Sequence, residues 1–445
     1  EPGDGQDTNS GGDDGTDLLI FAGNAAASTF DLSQGSDRTQ FDAIFNGAVI
    51  ANHGIEEVLV LPLGGNDTIN VSDLFTTEVA SVRVRADGGD ETVNVAGRTT
   101  DDDLSVTLPG DGILGIEGLT YDVDIISPTT SDLLEILTVE GNDAIHVDEG
   151  VQAIITSTLT GGDGDDTLSG AFNTANGQAG DDTIIGGSND QTINGGAGED
   201  TMVGGGGNDN FDGGADFDTI LIAGTSGPDV IDVFQALPTS LVHTVNGDTQ
   251  TDTLVASTVE EALVVAADGA DLVRVNWLDA HGVNAAVDSL RMTVEGGRDA
   301  TSDRLIVVDD GTDDLVLYRK GQADDSGTVQ VGPGNAEPLL NVFSEVENID
   351  FVDENGNSIV NAAAGPQLVV FKHDPFESND DRFTATYLGS GDTINVDPTI
   401  DPGPLTDPFG DGQDFAGDSD FYRVVAETTG TLDFQVYFRQ VPALA

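Results

Sequence analysis

The sequence predicts an all-β protein, most of it coiled into the stacked parallel rungs of a β-helix, and three observations predict this. Short runs that alternate apolar and polar residues recur between Gly/Asp turns, and Thr68 lies 24 residues before Thr92 while Ala144 lies 23 before Thr167, spacings that suit one rung of a wide coil. A tighter nine-residue repeat runs over 161–221. Helix-period patterns are scarce, whereas 58 Gly and abundant Asp and Asn supply turns.

Residues 1–17 are rich in Gly and Asp and read as a flexible acidic tail; the first residue is Glu, and no signal-peptide core follows, so a processed product is expected. Over 18–160 the rung grammar is an alternating run, a turn and a second short strand. The run 58–63 leads into Gly64-Gly65-Asn66-Asp67 and then Thr68-Ile69-Asn70-Val71, and the same order returns at 82–95, 134–147 and 154–168. The rung expected near 115–123 is degenerate.

The repeat segment, 161–222, carries the chemistry. Its units are Gly161-Gly162-Asp163-Gly164-Asp165-Asp166-Thr167-Leu168-Ser169, a seven-residue interruption, and five unbroken nonads from Gly177, Gly186, Gly195, Gly204 and Gly213. The pattern is G-G-x-G-x-D-x-U-x, with U a large apolar residue. Glycines at places one, two and four permit positive φ, so six residues form a tight turn whose carbonyls converge on one point. The Asp at place six adds a hard carboxylate oxygen of the kind calcium prefers, and the last three residues extend as a short strand that buries U. A Gly/Asp-rich linker has no reason to keep Leu168, Ile184, Ile193, Met202, Phe211 and Ile220 in register.

This segment resembles the RTX family of secreted bacterial proteins, whose nonapeptides wind into a parallel β-roll with calcium between successive turns. The resemblance implies Ca2+ as the cofactor. Two nonads make one turn of a β-roll, so place-six residues fall into two columns. If 170–176 is one shortened half-turn, one holds Asp166, Asp182, Asp200 and Asp218; the other holds Gln191 and Asp209, and the Gln191 unit also has Asn189 where the fourth Gly belongs. Well-formed calcium sites are therefore expected on one edge and poor or absent ones on the other. Gly162, Gly164, Gly196, Gly198, Gly205 and Gly207 are the turn glycines of these sites. Asp163, Asp165, Asp181, Asp190 and Asp216 are secondary ligand candidates or solvated turn residues.

A second region of rungs is expected over 223–365, because 55–71 aligns without gaps to 259–275, and 81–89 aligns to 289–297. A stretch of roughly 20–100 thus recurs at about 224–308, either as a continuation of one solenoid or as a separate β domain. After Ala364-Gly365-Pro366 the composition changes. Asp374-Pro375-Phe376-Glu377-Ser378-Asn379-Asp380, with 418–424 and 430–434 after it, resembles the bacterial pre-peptidase C-terminal domain, a small β-sandwich appended to secreted proteins. That resemblance implies a partial sandwich over 366–445 and a possible calcium linker at Glu377, Asn379 and Asp380, although Pro375 stands where some relatives have another acid. Ala445 comes before enough strands for a whole sandwich, so either the natural chain continues or a neighbouring molecule adds the missing strands.

Charge narrows the function. With 81 acidic against 14 basic residues, the net charge is −67, which repels nucleic acid and anionic membranes and calls for divalent cations, high salt, or both. No stretch is long and apolar enough for a membrane helix, and the absence of Cys agrees with an exported protein braced by metal. The five His have no metal-binding spacing, and no nucleophile elbow or phosphate loop is present. Of Arg83, Arg85, Arg274 and Arg291, Arg83 and Arg291 fall at equivalent duplicated positions, as expected for strand packing or carboxylate pairing. The expectation is a non-enzymatic, calcium-stabilised structural or adhesive protein, secreted to the extracellular space or cell surface. Its partners are expected to be calcium, further copies of itself, or other surface proteins, matrix proteins or polysaccharide. The alternatives are the non-catalytic part of a larger secreted hydrolase and a carbohydrate-active β-helix.

Overall fold

The computed structural model describes residues 7–10, 16–35, 40–72, 74–86, 88–237, 239–255, 258–277, 291–297, 303–309, 315–320, 327–332, 339–344, 346, 348–353, 367–371, 386–390 and 422–425. The chain divides into two compact units. The first takes in Glu1–Ile222, Leu237–Val242 and Thr249–Ala262; the second takes in Ala223–Ala236, His243–Asp248 and Leu263–Ala445.

In the first unit, strands alternate between two parallel sheets. On one, Thr68 pairs with Thr92, Thr92 with Leu133, Leu133 with Thr156, Thr158 with Thr174, Thr174 with Thr192, and Thr192 with Asn210. On the other, Ala144 pairs with Thr167, Thr167 with Thr183, Thr183 with Thr201, and Thr201 with Thr219. The separations expected for one rung are thus the separations of residues that sit directly above one another. Among the described residues there is no α-helix, and Val151–Ala153 forms a single 3-10 turn.

Burial explains the change of rung width. Successive side chains of a strand face opposite sides of the sheet. In the wide rungs each strand buries two residues, such as Val58 and Val60, Val93 and Val95, or Leu134 and Ile136. In the nonads the strand is shorter and buries the single U: Leu168, Ile184, Ile193, Met202, Phe211 and Ile220 are each at most 1% exposed. Each contributes about 1.5–3 kcal/mol of burial, so a turn of two nonads holds about half the apolar stabilisation of a wide rung.

Two expectations need correction. The degenerate stretch near 115–123 is not a rung of its own. Asp103–Gly110, Ile113–Glu117 and Asp122–Ile126 form an antiparallel excursion within the sheet, entered from a parallel partner at Ser81–Arg85 and left toward Ala144–Val147. The cause is local, because Asp111 and Gly112 have φ of 56° and 72°, the signature of a type I′ hairpin. Asn46 and Gly47, at 46° and 85°, turn a second hairpin between Phe41–Phe45 and Ala48–His53. The acidic tail is also not wholly unpaired. Asp7–Ser10 adds a parallel strand to Ala48–His53, whose far edge would otherwise present unpaired backbone groups.

The second unit repeats both devices. Val230 pairs with Leu272, Leu272 with Arg304, and Arg304 with Asn348, all parallel. Arg291–Glu295 and Gln367–Phe371 bracket an antiparallel excursion built from Leu315–Lys320, Gly327–Gly332 and Leu339–Ser344. Parallel stacking therefore extends past residue 365. Beyond it, Thr386–Ser390 pairs in parallel with Tyr422–Val425. The candidate linker residues Glu377, Asn379 and Asp380 lie outside the described residues.

Candidate metal centre

The place-six acids form a ladder. The backbone N–H of Asp166 donates to Oδ1 of Asp182 at 2.8 Å, that of Asp182 to Asp200 at 2.8 Å, and that of Asp200 to Asp218 at 2.9 Å. All four carboxylates are at most 1% exposed. Only one oxygen of each is used, and Oδ2 of Asp166, Asp182, Asp200 and Asp218 meets no hydrogen-bond donor among the described residues. Four buried charges in one line, each with an unanswered oxygen, are strongly disfavoured without a counter-charge. Burial is the chief cause that pushes the acids up, Asp166 and Asp200 to about 6 and Asp182 and Asp218 to about 7, against an ordinary value of 3.8; neighbouring carboxylates add to it.

The turns supply the rest of the cradle. Places two and four lie in the left-handed region in the matching units: Gly162 and Gly164 at 119° and 132°, Gly196 and Gly198 at 129° and 133°, and Gly205 and Gly207 at 84° and 107°. Gln178 and Asp216 adopt the same conformation at 85° and 81° without being glycine. Place one follows a different rule, which corrects the expectation of positive φ there. Gly161, Gly177 and Gly195 are not left-handed; a Cβ at each would collide with Oδ2 of Asp166, Asp182 and Asp200 of its own turn. Glycine is needed at place one to leave room for the carboxylate.

The second edge differs from the first in geometry at Gln191. Gln191 donates its backbone N–H to Oδ1 of Asp209 at 2.8 Å, but neither Gly187 nor Asn189 has a positive φ, and both side-chain amide atoms of Gln191 are buried with no partner among the described residues. Asp209 keeps the turn geometry through Gly205 and Gly207. The secondary candidates Asp163, Asp165, Asp181, Asp190 and Asp216 are exposed. Asp163 makes backbone bonds to Val139 and Gly141. Asp165, Asp181 and Asp190 each accept a backbone N–H from the next turn, from Asp181, Glu199 and Asn208. They clip turns together at the rim and stay apart from the buried column.

The ladder is longer than the nonads. Asp102 donates to Asp143 at 2.7 Å and Asp143 to Asp166 at 2.7 Å, while Asp218 donates to Glu260 Oε2 and Asp209 to Asp252 Oδ1, both at 2.9 Å. One signal for this is legible, since Asp252-Thr253-Leu254 repeats the Asp-Thr-apolar triplet of Asp166-Thr167-Leu168. Two turns of similar outline carry internal partners. Arg98 gives its Nε to Oδ1 of Asp102 and its backbone N–H to Oδ2, both at 2.6 Å. In the second unit, Thr225 donates its N–H to Asp229 Oδ2 at 2.5 Å and its hydroxyl to Oδ1 at 3.0 Å.

Among the described residues no three acidic or His side chains gather at one point, so a metal here must take one carboxylate per turn together with backbone carbonyls. Bare Oδ2 atoms beside glycine turns fit an oxygen-seeking cation. Two of the four arginines singled out in the sequence pair with carboxylates, Arg83 with Glu57 Oε2 at 2.6 Å and Arg274 with Asp232 Oδ1 at 2.8 Å. His146 is exposed and shares a hydrogen bond with Ser169 Oγ at 3.0 Å. No described helix is long and apolar enough to cross a membrane.

Comparison with curated proteins gives no match. The family model for the RTX calcium-binding nonapeptide repeat (4 copies) matches residues 157–174, 169–202 and 185–220, the turns on which the buried ladder stands. The chain therefore carries RTX nonapeptide repeats over 157–220, and Ca2+ is the ion they bind.

Proposed function

We propose that this is a calcium-stabilised structural or adhesive protein that works outside the cell, in a matrix or surface layer, without catalytic activity of its own. The observation that carries the reading is the line of buried, half-answered carboxylates from Asp166 to Asp218. Bound Ca2+ supplies the positive charge and the oxygen coordination that this line lacks. At low calcium, Asp166, Asp182, Asp200 and Asp218 repel one another across the turns and oppose closure of the stack. At the millimolar calcium of extracellular fluid, binding free energy becomes folding free energy. The ordered coils then present Asn rows, such as Asn94 on Asn70 and Asn194 on Asn176, for contact with other copies, surface proteins or polysaccharide.

The test is far-UV circular dichroism and limited proteolysis of the whole chain, titrated from chelator into millimolar calcium. Gain of β signal and protection of 161–222 in the millimolar range supports the proposal. A segment already ordered and protease-resistant in chelator removes its basis.

A further inference from the structure

We propose that the turns carrying Asp67 and Glu91 form a second divalent-cation site, outside the nonads and of different make. The two residues lie on adjacent rungs, because Thr92 donates its N–H to the Asp67 carbonyl at 2.9 Å and Thr68 pairs with Thr92. Each is 1% exposed. Asp67 Oδ1 accepts the Ser28 N–H at 2.7 Å, but its Oδ2 meets no donor among the described residues; Glu91 donates its N–H to Asp132 Oδ1 at 2.9 Å, but neither of its carboxylate oxygens meets a donor among them. Asp132 itself is answered, by the Thr129 N–H at 2.7 Å and hydroxyl at 3.1 Å. Three buried carboxylate oxygens on two neighbouring turns therefore lack a positive partner among the described residues.

The backbone around them is shaped for a ligand. Leu63, Gly64, Gly65 and Gly88 have φ of 69°, 123°, 103° and 121°, so both turns are tight. A Cβ at Gly89 would collide with the Gly65 carbonyl oxygen and lie 3.1 Å from Glu91 Oε1, so a carbonyl of one turn and a carboxylate of the next face one small space. Asn66 and Asp90 clip the rim, Nδ2 to Oδ2 at 3.2 Å, much as Asp165 and Asp181 do in the nonads.

A single proton can satisfy only one of three oxygens. Burial is the chief cause that raises Glu91 to about 7, followed by a hydrogen bond shared with the Asp132 side chain and by the carboxylate charges of Asp132 and Asp67. A divalent ion answers two charges at once. Carboxylate and carbonyl oxygens with no nitrogen or sulfur select calcium, and limited access to water disfavours magnesium, which keeps its own waters. Pro62 and Ala86 stand at place one and a Glu at place six of the second turn, so neither turn is an RTX nonad. The inference is independent of the extracellular reading.

The probe is calcium itself, as calcium-45 in equilibrium dialysis against the full chain, with thermal midpoints in parallel. Glu91→Gln keeps the shape and removes the charge, so without calcium it folds at least as well as the natural chain; Asp67→Asn is the second variant. Each is expected to lose one bound ion per chain and part of the calcium-induced rise in midpoint, additively with the loss caused by Asp200→Asn. Unchanged stoichiometry and an unchanged calcium response in both variants would show that protons alone hold these turns, and would overturn the proposal. Failure of Asp200→Asn to lower the count bears on the nonads only.

Discussion

Arg98 lies against Asp102 with Nε 2.6 Å from Oδ1, at a step of the acid ladder whose carboxylate is wholly buried. A guanidinium of the chain itself thus answers the charge there, while further along, Asp166, Asp182, Asp200 and Asp218 have no such partner among the described residues. Replacing Arg98 with Met strands a buried carboxylate and is expected to destabilise the calcium-free chain by about 2 kcal/mol, a value tempered by the one-third exposure of the arginine. The same variant should show a larger calcium-induced rise in melting temperature than the natural chain. Differential scanning calorimetry with and without calcium checks both, and an equal rise in the two proteins would remove the idea that arginine stands in for a cation.

Acid should act in opposite directions on the calcium-free and calcium-loaded states. In the folded metal-free chain Asp166 and Asp200 are pushed to about 6 and Asp182 and Asp218 to about 7, above the ordinary 3.8. Between these values the folded state binds more protons than the unfolded one, so its stability falls as pH rises. The protonation contribution is fully present below about pH 4 and lost as pH climbs through 6 to 7. Calcium competes for the same oxygens, so its affinity should fall on acidification below about 6. Melting temperature in metal-depleted buffer is expected to be higher at pH 5 than at pH 8, with the order reversed in excess calcium; a metal-free midpoint that rises with pH contradicts this.

Asp200 and Gln191 test the two edges separately. Asp200→Asn removes a charge from the column and should lower the number of bound calcium ions. At calcium a hundredfold above Kd, losing one ion forfeits about 3 kcal/mol. In chelator the same variant should be the more stable protein, because a buried charge is gone. Gln191→Ala should leave stoichiometry unchanged, since its turn lacks the left-handed places and its amide has no described partner. Titration calorimetry of the three proteins separates these outcomes.

The stacking register and the first column were legible from spacing, once the seven-residue interruption is read as a shortened half-turn: steps of 16, 18 and 18 residues put Asp166, Asp182, Asp200 and Asp218 one above another. The hairpin excursions were less visible, although Asp111-Gly112 and Asn46-Gly47 carry the local signal, because an excursion preserves the alternation on either side of it. Asp102, Asp143, Asp252 and Glu260 joined the ladder from turns whose glycines are missing or displaced, so their motif is incomplete while their register is intact. Glu91 was hidden for a related reason, since its longer side chain departs from the Asp of the pattern while its rung position is unchanged.

Gly195 distinguishes steric room from backbone freedom. Its φ is not left-handed, so alanine brings no conformational strain; the added Cβ instead meets Oδ2 of Asp200 and comes within 2.6 Å of the Gly213 carbonyl oxygen. Both are oxygens of the cradle, and the Gly213 atom belongs to rigid backbone. Gly195→Ala is therefore expected to destabilise by about 2 kcal/mol through overpacking and to weaken calcium binding by displacing the Asp200 carboxylate. Gly227, also free of positive φ, has nothing within 4 Å of a built Cβ, so Gly227→Ala should stay within about 0.5 kcal/mol of the natural chain. Urea unfolding in calcium measures both, and a tolerated Gly195→Ala with full calcium affinity would mean that the first glycine of the nonad is not reserved for the carboxylate.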